Sequence, residues 1–281
     1  MKKIAALFLV LLMVLALGAC SGEKDSKNSS IEKIGFVDSA YIFDNVQKHQ
    51  EEKHESPDAG LLSCYDNLTS ALLAMDKGEV TALWMNQTLA EYTLAQSDKY
   101  GLYSGELDDT IEIHSETTYG MLTMESNTEV YELLDRAIKQ LKADGTLDEL
   151  IENELLAYID NPPVPAEIPE FEGAASYKIA ITGDLPPTDF ITADGKAAGF
   201  NVALLAAIAE MEQVNFELVP VSSTAKAVAL TSGTVDAVFW MPYPYNCSHC
   251  GEAYAFSPEG TILTEPYFTD SIAVIQSKSA E

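Results

Sequence analysis

The sequence predicts an α/β protein made of two related lobes. Three observations carry this. Short β-branched runs alternate with amphipathic helical stretches along the chain, one helix–glycine–strand element occurs twice, and a proline-rich segment separates its two copies. The paired element reads Ala74-Met75-Asp76-Lys77-Gly78-Glu79-Val80-Thr81-Ala82-Leu83-Trp84 and Ala229-Leu230-Thr231-Ser232-Gly233-Thr234-Val235-Asp236-Ala237-Val238-Phe239. A repeated unit argues for two lobes rather than one continuous sheet.

Composition limits the partners. The 281 residues carry 16 Lys+Arg against 44 Asp+Glu, a formal charge of -28, and the only arginine is Arg136. Nucleic acid and anionic headgroups bind clustered cations that displace counterions, so neither suits this surface. A hydrophobic fraction of 47% with mean hydropathy near zero is that of a folded chain of one large or two small domains.

The first residues form a leader. Lys2 and Lys3 precede an apolar run, Ile4–Leu17, that is short for a transmembrane helix, and Gly18 and Ala19 stand before Cys20. L-G-A-C resembles the bacterial lipobox, after which cleavage leaves a lipid-modified cysteine at the new N-terminus; an ordinary secretory signal with a chance cysteine is the alternative. Ser21–Ser30 is polar and aperiodic, a flexible tether. From these features the protein is expected outside the cytoplasmic membrane, held by lipid alone.

The elements follow in order. Before the connector, strands are expected at Lys33–Val37, Val80–Met85, Thr110–His114 and Tyr119–Met124. Helices are expected at Leu68–Lys77, Thr88–Gln96, Glu129–Asp144 and Leu147–Leu156, the third stopped by Gly145. Lys48–Gly60 is a charged loop. Asp160–Gly173 holds Pro162, Pro163, Pro165 and Pro169 and reads as a stiff extended connector. After it come strand Tyr177–Ile181, a turn at Asp194-Gly195, helix Asn201–Met211, strand Asn215–Pro220, a short helix Ala225–Thr231, strand Val235–Trp240, an irregular loop and strand Phe268–Gln276. Cys64, Cys247 and Cys250 remain once Cys20 is lipidated. Cys247-Ser248-His249-Cys250 reads as a local disulfide or idle thiols, ahead of half a metal site or a redox dithiol, and no second C-x-x-C supports zinc.

Tyr177–Trp240 carries a first strand, a P-P loop, a D-G turn, G-F-N-V-A-L and L-T-S-G-T-V-D-A in sequence, and Glu265-Pro266-Tyr267-Phe268 follows. This resembles the opening of the family 3 extracellular solute-binding proteins, the amino-acid-type receptors of ABC importers. The earlier half is similar to that family's second part: Ile34-Gly35-Phe36-Val37 resembles its second-lobe strand, Leu72–Trp84 its A-L-x-x-G-x-V-D-A element, Tyr119-Gly120-Met121-Leu122 its return hinge and Ala137–Leu147 its C-terminal helices. The implied fold is two doubly wound α/β lobes around a cleft and hinge, the type II periplasmic-binding-protein arrangement, with the lobe order reversed by circular permutation. A tandem fusion of two truncated modules is the rival. The implied division is 1–19 signal peptide, 20–30 tether, 31–118 second-lobe-like lobe, 119–159 hinge strand and helices packing on the first lobe, 160–173 connector, and 174–281 first-lobe-like lobe ending in the hinge strand. Fourteen extended residues at about 3.1 Å each span roughly 40 Å, enough to join the old termini.

Ligands of such folds sit between the lobes, at the carboxyl ends of the strands. The resemblance implies ligand-binding roles for Asp184, Phe190, Trp240, Met241 and Tyr243 on one lobe and Ser39, Tyr41, Trp84 and Asn86 on the other. Two departures matter. The family's carboxylate-gripping arginine, expected shortly after the V-D-A strand, is absent from Met241-Pro242-Tyr243-Pro244-Tyr245-Asn246, and Asn86 stands where an aspartate would meet the ligand ammonium. An amino acid closed in without charge partners would lose several kcal/mol per ion. The ligand is therefore expected not to be a standard zwitterionic amino acid; aromatic walls with Asp184 and Asp189 suit a cationic or ring-bearing molecule.

The implied partners are a small-molecule ligand and a membrane ABC permease, with the receptor a monomer. No catalytic residue, metal or cofactor is expected: His49, His54, His114 and His249 form no nucleophile, base and orienter set. The alternatives are a degenerate or non-transport binding lipoprotein of the same fold, or a dehydratase-like enzyme.

Overall fold

The computed structural model describes residues 33–37, 44–45, 47–48, 62–103, 116–159, 161, 164–246, 253–254 and 257–278, all in one compact unit of residues 31–104 and 108–281. The other unit, residues 1–30 with 105–107, lies outside the described residues. So do the signal peptide, Cys20, the tether, Ser39, Tyr41, the Thr110–His114 strand, the four histidines and the Cys247/Cys250 pair.

The first lobe in chain order comprises β1 (Ile34–Val37), β2 (Leu62–Tyr65), α1 (Leu68–Asp76), β3 (Ala82–Asn86), α2 (Gln87–Gln96) and β4 (Tyr100–Leu102). β1 lies between β2 and β3 and parallel to both. Then come β5 (Glu116–Met124), α3 (Thr128–Asp144), α4 (Thr146–Glu154) and a 3₁₀ turn at Leu156–Tyr158. Residues 164–171 carry no regular structure, as the prolines require. The rest comprises β6 (Ser176–Ile181), β7 (Asp184–Leu185), β8 (Asp189–Ile191), β9 (Ala197–Ala198), α5 (Phe200–Glu212), β10 (Asn215–Pro220), α6 (Lys226–Thr231), β11 (Ala237–Pro242), β12 (Tyr245–Asn246), β13 (Ala253–Tyr254), β14 (Thr261–Leu263) and β15 (Phe268–Ser277).

The two lobes repeat one plan. β2-β1-β3 are parallel and bordered by antiparallel β15; β10-β6-β11 are parallel and bordered by antiparallel β5. β5 and β15 then pair with each other, Phe268 opposite Tyr119 and Ser271 opposite Glu116. Each of these two strands serves both sheets: β5 pairs β11 through residues 119–123, while β15 pairs β3 through residues 272–276. The expected α/β class is what the chain adopts, but against the expectation of two lobes rather than one continuous sheet, the pairing of β5 with β15 joins both sets of strands into one ten-stranded sheet.

The repeated sequence element is a repeated structure. After α1, the N–H groups of Lys77, Gly78 and Glu79 donate to the carbonyls of Leu73, Met75 and Ala74. After α6, those of Ser232, Gly233 and Thr234 donate to Val228, Leu230 and Ala229 in the same pattern. Gly78 and Gly233 take φ 73° and 72°, the left-handed conformation that glycine adopts without penalty and that ends a helix.

α3 is amphipathic, burying Val130, Leu133, Leu134, Ala137, Ile138 and Leu141 at helical spacing, and Gly145 ends it at φ 88°. This stripe shares one core with Ile179 of β6 and Phe200, Leu204, Leu205 and Ile208 of α5. Arg136 clasps Glu212 of α5 with Nε at 3.1 Å and a second guanidinium nitrogen at 2.5 Å, so the single arginine joins two helices. Asp236, ahead of β11, accepts the Lys178 N–H at 2.8 Å and the Asn127 amide at 3.3 Å, tying β6 to the turn before α3. The connector is fastened down as well: Phe171 and Asn215 exchange two hydrogen bonds of 2.8 and 2.9 Å.

β2, β4, β14 and the small β7-β8-β9 sheet are elements the periodicity did not foretell. Leu62-Ser63-Cys64-Tyr65 is a strand because it lies in register beside β1, not because of any alternation of its own.

Candidate functional site

The parallel strands of each lobe deliver their carboxyl ends to loops that contain most of the singled-out residues. On one lobe β6 leads into Thr182-Gly183-Asp184, β10 into Ser222–Lys226, and β11 ends on Trp240, Met241 and Pro242. On the other, β2 leads into Asp66 and Asn67, and β3 ends at Asn86.

Gly199 sets the first loop. Any Cβ there would lie 2.6 Å from the Thr188 carbonyl oxygen and 2.7 Å from that of Pro187, so only glycine lets the P-P loop close over the start of α5. The Phe200 N–H donates to the Pro187 carbonyl at 3.2 Å and the Asn201 N–H to that of Thr188 at 2.9 Å, which satisfies the helix start. The loop carries Asp189, 1% exposed, whose Oδ1 accepts the Gly183 N–H at 2.6 Å and whose Oδ2 accepts Nδ2 of Asn201 at 2.8 Å. Burial pushes the Asp189 carboxyl above the ordinary carboxylate range, against the opposing pull of Lys226 and of its hydrogen bonds.

Asn201 passes the network on. Its Oδ1 accepts the indole N–H of Trp240 at 2.8 Å. Trp240 is 8% exposed, sits at a bulge in β11 with φ 59°, and donates its backbone N–H to the Tyr267 phenol at 2.8 Å. Its ring meets Tyr119 at 5.1 Å, Phe268 at 5.5 Å and Tyr267 at 5.7 Å. A positive φ at a tryptophan is strained, and this aromatic cage over-determines it. Tyr119 continues to the other lobe, donating to Oδ1 of Asn86 at 2.8 Å. Asp189, Asn201, Trp240, Tyr119 and Asn86 thus form one connected path across the strand crossing.

The remaining sequence-derived residues fall as follows. Trp84 is half-buried within β3, its ring 6.3 Å from Phe36. Phe190 is half-buried and pairs with Asp184 across β7 and β8. Met241 is 1% exposed and packs with Leu122, Ala180 and Val238, a core position. Tyr243 donates its phenol to the Thr264 carbonyl, and burial beside Glu265 and Asp135 pushes its pKa up to about 12. Asp184 spans the lobes, its Oδ2 accepting the Thr69 N–H in the first turn of α1 at 3.0 Å. Nearby, Asp66 accepts the Ser223 N–H on its carbonyl at 3.0 Å and the Thr224 hydroxyl on its carboxylate.

Asp189 is thus bonded on both oxygens by Gly183 and Asn201, while Asp184 uses one oxygen, Oδ2, on Thr69. Sequence reasoning singled out neither Tyr119 nor Asn201 as site residues, and it passed over Lys226. The signal for Lys226 was present: one lysine inside Ala225-Lys226-Ala227-Val228-Ala229-Leu230, where all else is small or apolar. Among the described residues, no group of three or more metal-ligating side chains could hold a metal ion, and no helix is long and apolar enough to cross a membrane.

Residues 177–242 match the bacterial extracellular solute-binding proteins, family 3, which shows over those residues the resemblance read from the sequence. Among solved structures the chain is similar to the zinc-bound ligand-binding component of an ABC-type import system from Staphylococcus aureus (9% identity, covering 88% of this chain and 66% of that one, TM-score 0.38). It is similar also to the periplasmic aliphatic sulphonate binding protein SsuA from Escherichia coli (11%, 88% and 65%, 0.32) and to the reduced OxyR regulatory domain from Pseudomonas aeruginosa (8%, 88% and 89%, 0.36). The chain thus spans just under two thirds of the length of the first two. No curated protein matches it.

Proposed function

We propose that the chain is a lipid-anchored, extracytoplasmic solute-binding protein of an ABC importer. It captures a small molecule between its lobes and presents it to a membrane permease. The observation that carries this reading is the family match at residues 177–242, which falls on one of two lobes built to the same strand plan and joined by the crossing of β5 and β15. Two strands passing between two lobes are a hinge in form, and closure about a hinge is how such lobes enclose a ligand. In this reading Cys20 carries the lipid, the protein works as a monomer at the outer face of the cytoplasmic membrane, and no catalysis occurs.

The lobe order is, on this proposal, a circular permutation. Register supports it: Gln276 pairs with Ala82 and Ala82 with Ile34, so the end of β15 and the start of β1 lie two strand spacings apart, about 10 Å, at one end of the sheet. Leu155, just ahead of the connector, and Ile179, just after it, share one core, so residues 160–173 leave and rejoin the same lobe.

Asp184, Phe190, Trp84 and Asn86, with Ser39 and Tyr41, are proposed to face the ligand, and Trp240, Met241 and Tyr243 to form the packed floor behind them. The ligand is not a standard zwitterionic amino acid: Arg136 is held by Glu212, and Asn86 offers no charge to an ammonium. Thermal melting of the purified protein against fractionated small molecules of its host tests this. A binding protein is stabilised by one fraction, by about 2.7 kcal/mol at a hundredfold excess over Kd, and leaves that fraction chemically unchanged. Consumption of the stabilising compound would favour the enzyme alternative, and stabilisation by no fraction the degenerate one.

A further inference from the structure

At the carboxyl ends of the neighbouring parallel strands β6 and β10, two buried hydroxyls have no partner. Thr182 Oγ1, directly after β6, is sealed from solvent and unbonded; so is Ser223 Oγ, three residues past β10, in a residue 1% exposed. Buried polar atoms are normally paired, and each exception asks what is absent. Lys226 stands one turn beyond Ser223. The 3₁₀ turn Ser223–Ala225 runs straight into α6 and the Lys226 N–H donates to the Ser223 carbonyl, so the two side chains share a helical face. Lys226 is 6% exposed, and among the described residues neither a hydrogen bond nor an ion pair holds its ammonium.

Asp189 draws these groups together. Its carboxylate lies beside the Thr182 backbone and within electrostatic reach of Lys226. Its two oxygens take the Gly183 N–H and the Asn201 amide, and among the described residues no hydrogen bond joins it to the Lys226 ammonium or to either hydroxyl. Strand ends of this kind are where α/β sheets bind ligands. One ammonium and two hydroxyls are a donor set for a single carboxylate; a dianion would face Asp184 and Asp189 with only one cation to balance it.

We infer that Lys226, Thr182 and Ser223 form an anion subsite that holds the carboxylate of a small acid carrying no other charge. This rests on the solute-binding reading above and narrows its ligand class: the anion partner that Arg136 does not provide is supplied by a lysine on a different element.

The test titrates the full purified chain with benzoate, phenylacetate, 3-phenylpropionate and hexanoate, each beside its primary amide and the matching amine. At least one acid binds saturably, with its amide and amine weaker by roughly tenfold or more. Ser223→Ala and Lys226→Gln each weaken that acid by a similar factor. Ser223→Ala also leaves the ligand-free melting temperature unchanged or raised, since the lost hydroxyl bonds to nothing in the free protein; this variant decides the matter even if Lys226→Gln fails to fold. Binding of an acid with equal strength by wild type and Ser223→Ala overturns the subsite, as does failure of all four acids. Binding of amines or amides alone overturns it while leaving the solute-binding reading intact. If no probe binds and protein purified from its host carries no small molecule, both fall.

Discussion

The phenol of Tyr119, on β5, donates a 2.8 Å hydrogen bond to Oδ1 of Asn86, at the end of β3 in the opposite lobe. It is a link across the strand crossing, made by a side chain that also packs on Trp240. Tyr119→Phe is expected to lower stability by about 0.5–1.5 kcal/mol in urea unfolding, the usual worth of one such bond. Asn86→Ala should cost a similar amount, and the double variant little more than either single one. Additive losses would show that the bond does not couple the two positions.

Asp184 joins the lobes at a second place, its carboxylate resting on the first turn of α1 at Thr69. A carboxylate at a helix start is worth roughly 0.3–1 kcal/mol. Asp184→Ala should lose that much stability and speed hydrogen exchange at the Thr69 amide. An unchanged exchange rate would mean the contact is not kept in solution.

Trp240 is held by its indole N–H on Asn201 and by four aromatic neighbours. Trp240→Phe keeps most of the packing but leaves the buried Asn201 oxygen without its donor, a loss of about 1–3 kcal/mol. Calorimetric melting measures it. A loss below a few tenths would show that the oxygen finds another partner.

Stability should depend on pH through Asp189. Burial raises its folded pKa above the unfolded value near 3.9. Its contribution is therefore fully present below the unfolded pKa and is lost as pH rises through the folded one. Urea unfolding of wild type and Asp189→Asn between pH 4 and 8 isolates it, and the wild-type advantage should shrink as pH rises. Lys226→Gln removes the charge that favours ionised Asp189 and should move this loss to higher pH. A difference between wild type and Asp189→Asn that is flat with pH would contradict the buried-carboxylate account.

The sheet framework was open to sequence reasoning because its signals are local. The stripe Val130–Leu141 closed by Gly145, the paired glycine turns at Gly78 and Gly233, and the strand Asn215–Pro220 each declare themselves within a dozen residues. β2 did not, since Leu62–Tyr65 owes its strand state to β1 alongside it. The site was less open still. Asn201 and Trp240 are 39 residues apart in sequence and Tyr119 and Asn86 are 33 apart, so only the tertiary fold unites them. Composition drew attention to the missing arginine, while the cation that takes its place in the account, Lys226, was hidden as one lysine among alanines.

Native mass spectrometry of protein purified from its own host asks whether the two lobes capture a small molecule. One small molecule per chain is expected, released intact on denaturation, acidic in character, and much depleted in Ser223→Ala. A protein that carries the bare polypeptide mass both as isolated and after exposure to the host's small molecules would contradict it.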